Sequence, residues 1–176
     1  MTHGIRRVIT THDANGKAVI ASDGPAPNVR RREASGITST LLWVLDQVPA
    51  RYAEGEDFAA REIGIPPPAN GIVFRVVEFP PLGRVDATAE RRLAQDQSLA
   101  PHRKPGETPR HPFMHRTRSV DFGIVLSGEI DMLLDESEAH CRAGDVVIQQ
   151  ATNHAWVNRG SAPCRIAFIL IDGAER

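Results

Sequence analysis

Two histidines, a carboxylate and an indole recur at spacings that could bring them into one site. His115, Thr117 and Asp121 lie in His115-Arg116-Thr117-Arg118-Ser119-Val120-Asp121, and His154 and Trp156 lie in Asn153-His154-Ala155-Trp156-Val157-Asn158. Side chains of an extended strand alternate between its faces. Positions 115, 117, 119 and 121 therefore share one face, as do 154, 156 and 158. Imidazole titrates near neutral pH, so an inward pair can act as general acid and base. The plainer reading is a pair of hydrogen-bonded pocket histidines that do no chemistry. Trp156 reads as a flat pocket wall or as a core aromatic.

The elements that must position these residues are mostly short strands. From His115 to Ile171, β-prone runs recur at Phe122–Leu126, Ile130–Leu134, Asp145–Ile148, Ala155–Asn158 and Ile166–Ile171, separated by turn signals. Such regular spacing without intervening helices predicts a β-sandwich or barrel. Upstream, Ile5–Thr10 and Lys17–Ser22 flank Asp13-Ala14-Asn15-Gly16, a hairpin signal. Residues 23–35, including Arg30, Arg31 and Arg32, read as loop. Ile37–Val48 reads as a strand with Thr38, Thr40, Leu42 and Val44 on one face and Ser39, Leu41, Trp43 and Leu45 on the other. Pro49–Asn70, ending in three prolines, is a long connection, and Gly71–Phe79 returns to strand. Thr88–Leu99 is the one convincing helical stretch, placed on the surface.

Composition narrows the function classes. Lys and Arg number 21 against 22 Asp and Glu, a formal charge of −1. That balance gives no electrostatic reason to expect nucleic acid or an anionic membrane as partner. No stretch approaches the roughly 20 apolar residues that span a bilayer, and the first residues lack an apolar signal segment. The two cysteines, Cys141 and Cys164, suit small buried thiols rather than a disulfide framework. The expected location is cytoplasmic. With aromatics at 5% of 176 residues, the core must rest on Val, Ile and Leu.

Two segments carry a family resemblance. His115 to Glu129 and Gly144 to Asn158 resemble the paired motifs of the cupins, most of all small single-domain bacterial members. His115 occupies the first histidine position of the first motif, Thr117 stands where a second histidine belongs, and Asp121 replaces a glutamate six residues before Gly128. In the second motif Gln149 and Ala151 replace proline and glycine, while His154 and Asn158 keep their spacing. The resemblance implies an all-β fold, a double-stranded β-helix or jelly-roll barrel. Residues 101–176 would be its core, and residues 1–100 an N-terminal arm with accessory strands and a short helix, in one structural domain.

Inside such a barrel the two faces converge on a pocket. Cupins commonly hold a divalent metal there, which makes His115, Asp121 and His154 the implied ligands. This two-histidine, one-carboxylate set suits Zn, Fe, Mn or Ni. His111 could supply the histidine that Thr117 replaces. A metal-free pocket is the open alternative, with His115 and His154 as acid and base and Thr117, Gln149 and Trp156 as pocket residues. The resemblance implies a small-molecule enzyme of lyase, isomerase or dioxygenase type, or else a non-catalytic ligand-binding or regulatory module. The β-prone N-terminal segments imply a homodimer.

Overall fold

A computed structural model describes residues 4–82, 106 and 108–174, and every regular element among them is a β-strand. The helix expected over 88–99 lies outside the described residues. Strands β1 (Arg6–His12) and β2 (Ala18–Pro25) form a hairpin of their own. At its tip Asp13 Oδ1 accepts hydrogen bonds from the backbone N–H groups of Asn15 and Lys17, and Gly16 takes φ 75°, where a side chain would be strained.

The remaining strands form two sheets. One has the order β3 (Val29–Arg31), β4 (Thr38–Leu45), β5 (Ile72–Phe79), β11 (Cys164–Asp172), β6 (Ser119–Ser127), β9 (Val146–Gln150). The other has the order β10 (Ala155–Val157), β7 (Glu129–Leu133), β8 (Glu138–Arg142). Every pairing is antiparallel. The six-stranded sheet crosses from β5 to β11 to β6, so residues far apart in sequence become lateral neighbours. The two sheets face each other in a jelly-roll arrangement. Their inner faces share one core, including Val44, Val73, Val125, Ile130, Leu133, Trp156 and Ile166.

The outer face of the large sheet has a smaller apolar cluster, in which Leu42, Val76 and Ala167 are covered by Ala26 and Ile5. This burial on both faces explains why β4, β5 and β11 read as near-continuous apolar runs rather than clean alternation. The arm is also tied down by charge. Arg7 forms a forked pair with Asp57 and donates to the Leu42 carbonyl, so hairpin, β4 and the long connection meet at one side chain.

Three local expectations change. A β-bulge places Leu42 between Leu41, opposite Arg75, and Trp43, opposite Phe74. One extra residue inverts the parity beyond it, so Val44 joins Leu41 in the main core, and Leu42 alone enters the outer cluster. Val29–Arg31 pairs with β4 as an edge strand rather than lying in a loop. Strand β8 was hidden because Glu138-Ala139-His140-Cys141-Arg142 buries only Cys141. Both cysteines are buried free thiols.

Candidate active site

His115 and His154 meet edge to edge through their backbones. Each N–H donates to the other's carbonyl at 2.9 Å, an isolated antiparallel bridge. Such a bridge puts the two side chains on the same side, and the ring centroids lie 4.5 Å apart. The rings line a cavity of about 100 Å³ between the sheets, together with Thr117, Asp121 and Trp156. Its other walls are mainly apolar, including Phe79, Phe113, Phe168 and Leu170.

The hydrogen bonds of the two rings differ. His115 Nδ1 lies 2.8 Å from the Phe113 carbonyl. A carbonyl only accepts, so the neutral ring carries its proton on Nδ1, which leaves Nε2 basic. Behind His154, Thr152 Oγ1 donates to Gln149 Oε1 at 2.6 Å, which assigns Gln149 Nε2 as the amide donor. That nitrogen lies 2.8 Å from both the Thr152 carbonyl and His154 Nδ1. Accepting from that amide, His154 Nδ1 leaves the proton of its neutral ring on Nε2, while the Thr152 carbonyl, 3.0 Å from the same Nδ1, competes as an acceptor for a proton there. With His154 Nδ1 accepting from Gln149, the two imidazoles, tilted by 47° to each other, are opposite tautomers: one offers a base, the other an acid.

Electrostatics favours the neutral His154. Burial pushes its pKa below the ordinary value, and the Thr152 carbonyl, which a protonated ring could bond at 3.0 Å, works the other way. Asp121 is shifted upward, first by burial, against the lowering effects of the Ser119 hydroxyl and the Arg75 charge. Its Oδ1 is buried without a hydrogen-bond partner.

Most of the predicted positions are brought together here. Gln149 is the exception among the pocket residues: it does not line the cavity but stands behind His154 and fixes its tautomer. Thr117 lines the cavity, buried, its hydroxyl bonded to that of Ser119 at 2.8 Å. Asn158 is buried and ties the Phe79 and Ala162 carbonyls, away from the cavity. Trp156 packs edge-on against Phe168 with centroids 5.5 Å apart. Gly123 makes room for both, since a Cβ there would come within 3.2 Å of Phe168.

The described residues around the cavity do not complete the metal centre that the motif resemblance implies. Among the described residues no three His, Cys, Asp or Glu side chains are grouped so as to hold an ion. His111 supplies no third imidazole: its Nδ1 faces the Phe113 N–H at 3.2 Å, its ring packs on Phe113, and it does not line the cavity. Thr117 offers only a hydroxyl already bonded to Ser119.

Two cavity residues escaped the sequence reading, Arg75 and Arg32. Arg75 had a signal. It shares strand parity with Val73, Val77 and Phe79, all packed in the main core, and a charge at such a position needs a purpose or a partner. Arg32 had none, because only the fold of the chain after β3 turns it toward the cavity.

The sequence matches known proteins over most of its length. The family model described as a cupin domain matches residues 102–171. Phomopsin biosynthesis cluster protein C' of Diaporthe leptostromiformis is 48% identical over 174 residues, 94% of this chain and 77% of that protein. The cupin-domain-containing oxidoreductase fogC of Aspergillus ruber is 29% identical over 180 residues, 96% of this chain and 74% of its own length. A Cupin 2 conserved barrel domain protein from Salinispora arenicola aligns over 82% of each chain at 14% identity, with a TM-score of 0.42. Both of the protein relatives named first are fungal, which corrects the expected likeness to bacterial members.

Proposed function

The chain belongs to the cupin-domain family, and from that premise we propose that it is a small-molecule enzyme whose barrel cavity performs proton transfer. The observation that carries this reading is the facing pair of His115 and His154, whose Nδ1 atoms meet different partners, the Phe113 carbonyl and the Gln149 amide. Relatives named as oxidoreductases and as biosynthesis-cluster proteins support work on a small molecule.

The chemistry follows from the two rings. His115 Nε2 takes a proton from the ligand, and the electron pair of the broken bond stays on the ligand. His154 Nε2–H gives a proton to a ligand oxygen. If that oxygen remains bound, the result is an enol or, after a second proton transfer, an isomer. If it is a hydroxyl, it leaves as water and a double bond forms. Both outcomes balance without a metal, a cofactor or an oxidant. Apolar walls reduce competing water around the rings, and Trp156 supplies a flat surface for an unsaturated ligand. The neutral state of His154, favoured by burial, keeps it from repelling a protonated His115 during the step.

The test is a panel of small hydroxy and carbonyl compounds, followed by mass change and by solvent deuterium incorporation. His154→Gln keeps a polar side chain of similar reach but cannot act as an imidazole acid. For a substrate found in this way, turnover should fall about 100-fold or more, the usual size of a lost acid–base group. Affinity should stay within about tenfold, roughly 1.4 kcal/mol. A wild-type protein that binds members of the panel, converts none of them and incorporates no deuterium is a binding module instead.

A further inference from the structure

The barrel cavity does not end at the two histidines. Arg32, Ser39, Ile65 and Arg75 line both this cavity and an adjoining groove of about 410 Å³, whose walls also include Arg30 and Arg31. Four arginines thus border the groove, and among the described residues no acidic side chain lines it. Arg30 is partly neutralised from outside by Glu62, which is 89% exposed. The arginine run that reads in sequence as a solvated loop is turned toward the way into the candidate site.

Arg75 is the centre of this arrangement. Its position on β5 is opposite Phe168 on β11, whose own partner on β6 is Gly123, so it rises from the middle of the large sheet into the space between the sheets. One terminal nitrogen donates to the Gly64 carbonyl at 2.8 Å and the Ile65 carbonyl at 3.3 Å, which fixes the plane of the group. Its Nε is buried and has no hydrogen-bond partner. Asp121 lines the same cavity and has an equally unpartnered Oδ1, yet the two side chains form no ion pair. Two residues that line one cavity thus each keep a buried polar atom, of opposite hydrogen-bonding character, without a partner. Leaving such atoms unsatisfied is costly, and a ligand that reaches both removes that penalty.

We infer that the cavity takes a small organic acid whose carboxylate is received by Arg75 and Arg32 where cavity and groove join. A planar guanidinium with an unused N–H matches a carboxylate oxygen. A hydroxyl on the same ligand would donate to Asp121 Oδ1. The apolar walls receive a short hydrocarbon chain or a ring, and about 100 Å³ limits the enclosed part to a handful of heavy atoms, against roughly 30 Å³ for one water. Burial and the like charge of Arg32 push the Arg75 pKa down to about 10, which leaves it cationic at neutral pH and favours an anion beside it. The inference rests on the barrel cavity being the ligand site, but not on the histidines doing chemistry.

The experiment is direct binding by calorimetry of butyrate, hexanoate and benzoate, each against its amide, with inorganic phosphate as a second anion. The acids should bind at least tenfold more tightly than their amides, and more weakly as salt is raised. Arg75→Lys keeps the charge but loses the planar fork, and should weaken the acids at least fivefold. Arg32→Gln should do the same and decides the matter if the Arg75 variant fails to fold. Arg51→Gln removes an exposed arginine that lines neither space and should leave acid binding within about threefold. Amides that bind as well as acids, an unchanged affinity in the folded arginine variants, or no binding by any acid at millimolar concentration would overturn the inference. Phosphate binding as tightly as the acids would overturn the carboxylate assignment in favour of a general anion site. Carboxylate binding here, together with no turnover and no deuterium incorporation in the hydroxy and carbonyl panel, would sink the proton-transfer reading and leave this one standing.

Discussion

His115 and His154 hold each other through the main chain before their rings do anything. Their reciprocal N–H to carbonyl bonds, both 2.9 Å, clamp two loops at the place where each enters a strand of a different sheet. The 4.5 Å separation of the rings is therefore set by backbone geometry, and side-chain substitutions at either position should leave the bridge in place. This is the basis for treating variants at 154 as probes of chemistry rather than of folding.

The pH dependence of stability should carry the signature of His154. Burial lowers its pKa in the folded protein, while the unfolded chain titrates near 6.5. Below that value the unfolded state binds the proton more readily, so stability is present above the unfolded pKa and is lost as pH falls toward the folded one. His154→Gln removes the term. Denaturation midpoints at pH 7.5 and 5.5 should fall more for the wild type than for the variant. Equal falls would show that His154 is not held neutral by its surroundings.

Metal retention should be poor in the natural protein and improvable by one substitution. Thr117 lines the cavity on the same strand face as Asp121 and stands in place of a motif histidine. Protein dialysed after exposure to Zn, Fe, Mn or Ni should retain clearly less than one equivalent by elemental analysis. Thr117→His adds an imidazole near the existing pair and should raise retention. Equal or lower retention by a folded variant would mean that position 117 does not address the same point as the two histidines.

Ala151 holds a backbone conformation that does not suit it. Its φ is 51°, in the left-handed region, and its N–H donates to the Ser119 carbonyl across the cavity strand. For a residue with a Cβ this conformation costs about 1–2 kcal/mol, while glycine loses roughly 0.5–1 kcal/mol through the entropy of the unfolded chain. Ala151→Gly should therefore stabilise the fold by about 0.5 kcal/mol, measured by chemical denaturation. A loss of more than about 1 kcal/mol would contradict this account of the turn.

The hairpin of β1 and β2 points to self-association. It forms a sheet of only two strands, and Val8, Val19 and Ile20 are 46%, 40% and 62% exposed on it. Isolated two-stranded ribbons are marginal in water, and uncovered edges invite pairing. Light scattering at micromolar concentration should give twice the 19.3 kDa chain mass, and Ile20→Lys should shift it toward the monomer. A wild-type protein that is wholly monomeric would refute the prediction.

The sequence by itself determined the strand texture, the positions of most strands after residue 36, and the inward parity of His115, Thr117, Asp121, His154 and Trp156. These are period-two properties, carried by each strand alone, and alternation reads them wherever one face is buried. Parity failed at Leu42, where one bulged residue inverted everything after it, and at β8, whose polar face leaves almost no alternation to see. Only the tertiary structure decided what else shares the cavity. Arg75 meets Phe168 across β5 and β11, and Phe168 meets Gly123 across β11 and β6. The tautomers of the two histidines likewise depend on Phe113, Thr152 and Gln149 arriving at particular nitrogens. Contacts of this kind come from strand pairing and from where the chain turns, which no local period records, so the charge and proton arrangement of the site emerged only when the sheets closed on each other.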